Sequence, residues 1–177
     1  MPTPAAAHDD AEPRARLVVA LHVKRAGTNL TGVAVEYDIA VRNEGMAGAR
    51  DVALDARLLS AGAQQDETIA MLFDTPVDRP HIAPFALAPG DSITLPGMGM
   101  LPRDMVQTMQ ANGRDLFVPV MTINLHYNWA DGTGHTARAF MIGVERGAGA
   151  KMAPFAFDAT RMHDRVAALE YTMRVDV

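Results

Sequence analysis

Four methionines in one short stretch are the residues of this sequence whose type and spacing best fit a chemical role: Met98, Met100, Met105 and Met109. Thioether sulfur is a soft ligand that suits Cu(I). In an extended chain the first two side chains point to the same side, and in a helix the last two share a face. The stretch at residues 98–109 is therefore a candidate copper or small-ligand site.

A packing role is the alternative for the same residues. Methionine is flexible and often fills irregular gaps at the edge of a core. The chain holds 12 methionines spread along its length, which favours this second interpretation. We therefore predict that Met105 and Met109 are buried against core residues and that the stretch holds no metal.

Two of the six histidines, His126 and His135, form a second candidate pair. If residues 131–134 form a hairpin loop, Ala130 faces His135, and the two imidazoles lie on one sheet face about four residues apart. At ~3.3 Å per residue that separation is roughly 13 Å, too far to share a metal ion. The sequence thus predicts two independent, solvent-facing histidines.

The composition argues against several classes of function. Without cysteine the chain has no disulfide, no thiolate nucleophile and no Cys-ligated metal. Ser60 and Ser92 lack the setting of an activated nucleophile, and no phosphate-binding loop is present. The net charge is −5 with scattered cations, so a nucleic-acid surface is not expected. We predict a non-enzymatic protein without a cofactor.

The elements that must position these residues are mostly strands. Residues 33–41 alternate between apolar and polar types, and residues 49–59 resume the alternation after Asn43-Glu44-Gly45. This pair is predicted to form the nucleus of an antiparallel sheet. Further strands are expected at residues 17–23, 116–130, 135–145 and 166–175. Another strand begins at Ser92 and is interrupted at residues 96–99.

Two short helices are expected in the connections. One follows Gln64 and ends before Pro76, with acidic residues in its first turn. The other opens at Pro102-Arg103-Asp104 and ends at Asn112-Gly113.

Together these elements predict an all-β fold, an immunoglobulin-like antiparallel β-sandwich of about seven to nine strands with one or two short helices. Residues 17–177 form the single domain, and residues 1–16, rich in proline and alanine, form a disordered linker or tail. The predicted core joins the alternating face of residues 33–41 to Ile123, Leu125, Tyr127 and Trp129. A sugar-binding platform of Tyr127 and Trp129 would require both rings to be exposed instead.

Two motifs add a family resemblance. Val41-Arg42-Asn43-Glu44-Gly45 followed by Ala49 and Val52 resembles the "V-x-N-x-G-x-x-x-A-x-x-V" hairpin of bacterial immunoglobulin-like domains of the CARDB type. Leu87-Ala88-Pro89-Gly90-Asp91-Ser92 is similar to their "L-x-P-G-E-S" turn. The domain also resembles modules of uncharacterised membrane-tethered bacterial proteins.

The resemblance implies an immunoglobulin-like fold without catalytic residues. It implies an interaction or spacer role at a bacterial cell envelope, with a protein partner still to be identified. Contact with the membrane would come only through an anchor upstream of residue 1.

Overall fold

The structure is a computed structural model that describes residues 12–177. It confirms the all-β antiparallel prediction, but the strands number twelve rather than seven to nine. The strands are β1 (Leu17–Thr28), β2 (Gly32–Asn43), β3 (Ala49–Ser60), β4 (Phe85–Leu87), β5 (Ser92–Pro102), β6 (Met109–Ala111), β7 (Arg114–Phe117), β8 (Pro119–Trp129), β9 (Gly132–Val144), β10 (Phe155–Ala156), β11 (Met162–His163) and β12 (Val166–Asp176). One α-helix, α1 (Gln65–Asp74), and one 3-10 turn (Arg103–Met105) complete the described elements.

Two large sheets make up the sandwich. The first sheet has the order β11-β1-β2-β5, and the second has the order β12-β9-β8-β3-β4. A small third sheet has the strand order β10-β7-β6. Apolar side chains from the facing sides of both large sheets form one continuous core cluster.

The predicted core is confirmed. The alternating residues of β2 and of β8 are buried in one cluster, and Trp129 packs against it while partly exposed. Each sheet hides its apolar face against the other, as sandwich packing requires. The buried members are Val33, Val35, Tyr37, Ile39, Val41, Ile123, Leu125 and Tyr127.

The prediction that β2 and β3 pair with each other is wrong. β2 pairs with β1 and β5 in the first sheet, whereas β3 pairs with β8 and β4 in the second. The chain crosses between the sheets at the buried Asn43. Its side chain donates to the carbonyls of Ala47 (2.8 Å) and Leu87 (3.0 Å) and accepts from the amides of Gly45 (2.9 Å) and Arg16 (3.2 Å). The polar crossover is thus fully paired inside the protein.

Helix α1 covers the outer face of the second sheet. Ile69 and Phe73 are buried in a second apolar cluster with residues of β8 and β9. The Asn124 amide nitrogen donates to the carbonyls of Leu72 (3.1 Å) and Thr75 (3.3 Å), at the carboxyl end of the helix. The helix ends at Asp74, before Pro76, as predicted.

The predicted interruption at residues 96–99 is also wrong. β5 pairs with β2 without a break from Ser92 to Pro102. Gly97 lies opposite Tyr37, and a Cβ on this glycine would lie 2.6 Å from the ring. This glycine provides room for an aromatic ring rather than a turn.

The second predicted helix is reduced to one 3-10 turn, Arg103–Met105. The chain then becomes extended and forms the hairpin of β6 and β7. Asn112 and Gly113 connect these strands with positive φ angles of 51° and 73°, the backbone that a tight two-residue hairpin turn requires. The sequence placed a helix end where the structure has a hairpin turn.

The predicted tail needs a correction at its end. Ala15 is buried, the Arg14 carbonyl accepts from the amides of Met46 (2.9 Å) and Ala47 (3.1 Å), and the Arg16 carbonyl accepts from that of Glu44 (2.8 Å). Arg14, Ala15 and Arg16 therefore belong to the folded domain. Residues 1–11 of the predicted tail lie outside the described residues. Within residues 12–177, no helix combines the length and apolar character needed to cross a membrane.

Candidate functional site

The four methionines predicted as a site are all exposed. Met98, Met100, Met105 and Met109 have exposed fractions of 51%, 60%, 62% and 47%. The prediction that Met105 and Met109 are buried is therefore wrong. Met105 ends the 3-10 turn and Met109 begins β6, so no common helix face brings them together over the core.

Met98 and Met100 instead lie on the outer face of β5. The inward positions of this strand are occupied by smaller or aliphatic residues, and the even-numbered residues point to solvent. Gly32 pairs with Pro102, and the Arg103 amide donates to the Thr31 carbonyl. These contacts place the turn after β1, the end of β5 and the 3-10 turn at the same end of the first sheet. We call the exposed residues there, Leu30 (87% exposed), Met98, Met100 and Met105, the methionine surface.

β5 is an edge strand of the first sheet. At the two ends of its ladder the Asn43 amide donates to the Asp91 carbonyl, and the Arg103 amide donates to the Thr31 carbonyl. Odd-numbered residues of β5 therefore direct their backbone groups to β2, and even-numbered residues direct theirs to the outer edge. Pro96 and Pro102 fall in the even set and remove two donors from that edge.

The two histidines lie much closer together than the sequence predicted. His126 of β8 is directly opposite His135 of β9, and the imidazole rings stack with centroids 4.1 Å apart at an interplanar angle of 14°. The predicted separation of roughly 13 Å is wrong, because the hairpin loop consists of Ala130 and Asp131 alone.

The glycines that the sequence placed in the loop belong to β9. A Cβ on Gly132 would lie 2.7 Å from Trp129, and one on Gly134 would lie 2.3 Å from the ring of Tyr127. These two aromatic–glycine pairs fix the register that aligns the histidines. Gly132 and Gly134 are two residues apart, as are Tyr127 and Trp129. This matched spacing was the signal in the sequence that could have revealed the register.

The backbone pairing brings the rings close. The amide and carbonyl of His135 both bond to Val177, at 2.9 Å each, so they point away from β8. His126 and His135 therefore form a non-hydrogen-bonded pair, the kind in which opposite side chains come closest. The rings stack on the outer face of the second sheet, and Asn124 precedes His126 by two residues on the same face of β8.

Asn124 orients the ring of His135. Its side-chain oxygen lies 2.6 Å from Nε2 of His135, and its nitrogen is already committed to two carbonyls at the end of α1. The oxygen can only accept, so Nε2 of neutral His135 carries the proton and Nδ1 has the free lone pair. Sequence reasoning missed this role of Asn124, which was visible only as a polar residue on the outward face of its strand.

Burial keeps both rings neutral. Desolvation lowers the pKa of His126 below its ordinary value of 6.5, and Nε2 of that ring is buried without a hydrogen-bond partner among the described residues. Desolvation also lowers the pKa of His135, and repulsion by a protonated His126 adds to the effect, while Asp74 opposes it. Near neutral pH the pair therefore presents uncharged imidazoles.

An open cleft of about 370 Å³ runs along the pair. Besides the two histidines, Asp51, Asn128 and Thr133 contribute polar groups to its lining. Asp51 sits at a bulge of β3 with a φ angle of 50°. Within residues 12–177 no group of three or more His, Cys, Asp or Glu side chains is arranged to hold a metal ion. The cleft is therefore lined by two imidazole rings together with the polar side chains of Asp51, Asn128 and Thr133.

Comparison with known proteins adds no relative to this description. No protein-family model, curated protein or solved structure matches the chain.

Proposed function

We propose that the chain is a non-enzymatic interaction module, an immunoglobulin-like β-sandwich that binds a protein partner through the methionine surface. The observation that carries the proposal is the exposure of four large apolar side chains, Leu30, Met98, Met100 and Met105, at one end of one sheet. Concentrations of exposed apolar side chains mark interaction sites more often than single ones do.

Methionine suits this role because its thioether side chain adapts to the shape of a partner. Polar residues accompany the apolar ones: Glu36 lies opposite Met98, and Arg25 lies opposite Glu36 on the next strand. An apolar centre with a charged margin is the usual composition of a protein-binding surface.

The partner binds the side-chain face rather than adding a strand to the sheet. Strand addition needs a continuous row of backbone donors on the edge of β5. Pro96 and Pro102 interrupt that row and leave Met98 and Met100 as the donors between them. Partner recognition thus depends on the thioether side chains.

The resemblance to CARDB-type domains supports a module presented at a bacterial cell envelope, tethered by an anchor outside this chain. The net charge of −5 is consistent with a partner other than nucleic acid. Fractionation of cells that produce the native protein tests the location, and recovery in the cytosolic fraction alone would contradict it.

A photo-crosslinking amino acid at position 100 tests the interaction in those cells. We expect a defined crosslinked species from position 100, and none from Thr94, an exposed position farther along the same face of β5. The double variant Met98→Lys/Met100→Lys, with the crosslinker moved to position 105, should lose the species. Equal crosslinking from positions 94 and 100, or no species at either, would refute the proposal.

Binding of Cu(I) or a small ligand by Met98, Met100, Met105 and Met109 is the alternative function. The exposure of all four side chains favours it, because the sulfurs are accessible. Titration of the purified protein with Cu(I) under a competing chelator separates the two functions. Micromolar or tighter binding that is lost in Met98→Leu/Met100→Leu would support the copper site, and crosslinking without such binding would support the interaction module.

A further inference from the structure

We propose that His126 and His135 form a binding site for a divalent transition-metal ion that prefers imidazole ligands, with Cu²⁺ as the strongest binder. The site lies on the outer face of the second sheet, whereas the methionine surface belongs to the first. It is therefore separate from the proposed partner surface, and either function can exist without the other.

The spacing of the rings fits one metal ion. A nitrogen ligand lies about 2.0–2.1 Å from a metal such as Zn²⁺, so two nitrogens on one ion are at most about 4.2 Å apart. The ring centroids of His126 and His135 are 4.1 Å apart, so one nitrogen of each ring can come within this limit when the rings leave their stacked arrangement. Because nitrogen lone pairs lie in the ring plane, the stacked rings face one ion only after one of them turns. Asn124 holds His135, so the ring that turns is His126, whose Nε2 has no hydrogen-bond partner among the described residues and which lines the open cleft.

Asn124 holds His135 in the state that a metal ligand needs. Histidine ligands commonly donate their second ring N–H to a carbonyl or carboxylate, which fixes both the tautomer and the ring orientation. His135 donates Nε2–H to the Asn124 oxygen over 2.6 Å, and the Asn124 nitrogen is anchored to Leu72 and Thr75. The lone pair of Nδ1 is thus prepared before any metal arrives.

The surroundings favour a cation. The carboxylate of Asp51 lines the same cleft and supplies negative charge. Two imidazole nitrogens come from the protein, and water completes the coordination. Of the first-row divalent ions, Cu²⁺ binds such nitrogen sites most strongly.

Titration of the untagged, full-length protein with Cu²⁺ in a non-coordinating buffer tests the site by calorimetry. We expect one equivalent to bind with a micromolar dissociation constant, and nitrogen hyperfine splitting in the electron paramagnetic resonance spectrum. His126→Ala and His135→Ala should each weaken this binding by more than about tenfold, the smallest effect typical of losing even an outer-shell partner. His22→Ala, which removes an exposed histidine of β1, should bind Cu²⁺ as the unmodified protein does.

Binding weaker than millimolar would overturn the proposal. Unchanged affinity in both pair variants, or an equal loss in His22→Ala, would overturn it as well. If circular dichroism shows that an alanine variant does not fold, His135→Phe decides the question, because it keeps an aromatic ring against His126 and removes the nitrogen. Tight Cu²⁺ binding by a folded His135→Phe protein would then refute the site.

Discussion

Tyr37 lies directly opposite Gly97 in the ladder between β2 and β5, and its buried ring occupies the space that a side chain on Gly97 would need. The hydroxyl group is part of this contact, 2.7 Å from the position of a Cβ at Gly97. The pair joins the edge strand to the centre of the sheet. Its tight fit makes Gly97 a position where even one added methyl group is costly.

Gly97→Ala should destabilise the protein by ~1–3 kcal/mol, the usual cost of overpacking a filled core. Gly48→Ala is the matched control, because a Cβ there meets only the Leu87 carbonyl at 3.9 Å. Urea unfolding of both variants measures the difference. Equal stabilities for the two variants would show that the ring of Tyr37 moves aside freely.

Ile39→Ala should cost ~2–5 kcal/mol in unfolding free energy through lost burial and the remaining cavity. Ile39 is only 2% exposed and lies at the centre of the core face of β2. Thr94→Ala, on the exposed side of β5, should stay within about 0.5 kcal/mol of the unmodified protein. A loss below about half a kcal/mol for Ile39→Ala would contradict the burial of this face.

Asn43→Ala should destabilise the crossover between the sheets by at least ~1–3 kcal/mol, because buried backbone groups lose their partners. Asn43→Asp keeps the two acceptor contacts but removes both donors and places a carboxyl group against the carbonyls of Ala47 and Leu87. It should therefore also unfold at lower urea concentration. Full stability of Asn43→Asp would mean that the two donated hydrogen bonds contribute little.

Deletion of residues 1–16 should lower stability by about 1–3 kcal/mol relative to deletion of residues 1–11. The longer deletion removes the buried Ala15 and the backbone hydrogen bonds of Arg14 and Arg16 to the connection after β2. Differential scanning calorimetry of the two shortened proteins measures the difference. Identical melting temperatures would assign Arg14–Arg16 to the tail after all.

Acidification should destabilise the protein through the stacked histidines. Their pKa values are lowered on folding, so the unfolded chain binds more protons as the pH falls through 6.5. The contribution of the pair is complete above the unfolded pKa and is lost as the pH falls toward the lowered folded pKa. Urea midpoints measured with a metal chelator at about pH 8 and about pH 5 should differ more than those of His126→Phe/His135→Phe.

His163 also makes the protein less stable as the pH falls. It is present in both the unmodified protein and the double variant. It packs edge-on against Phe155, and desolvation and Arg161 lower its pKa. Its contribution therefore cancels in the difference between the two proteins. An equal pH dependence for the double variant and the unmodified protein would contradict the predicted effect of the pair.

Alternation of apolar and polar residues was sufficient to predict the strands and their buried faces. Ile39 and Ile123 follow this pattern, because side chains of a strand alternate between core and solvent whatever the strand pairs with. The same alternation does not indicate which strands pair with each other. Asn43 is followed by a short connection that fits either a hairpin or a crossover, and the contact of its side chain with the distant Leu87 is absent from any local pattern.

Glycine caused the errors at both candidate sites. Gly97 and Gly134 were interpreted as breaks in the chain, but each lies in a strand opposite a tyrosine ring. A glycine in a turn and a glycine beneath an aromatic side chain look alike in one sequence. The error at Gly97 ended the predicted strand before Met98, and the error at Gly134 separated the two histidines.

The crossover at Asn43 also bears on how the chain folds. The β1–β2 and β8–β9 ladders join neighbours along the chain, and hairpins of this kind form in about 1–10 μs. The β2–β5 and β3–β8 ladders join distant segments, and chains dominated by such pairings fold in milliseconds to seconds. Since β2 and β3 are consecutive but belong to opposite sheets, neither sheet reaches its final order before distant segments meet. We therefore expect two early hairpins, one slow concerted step, and unfolding of both sheets as a single kinetic unit.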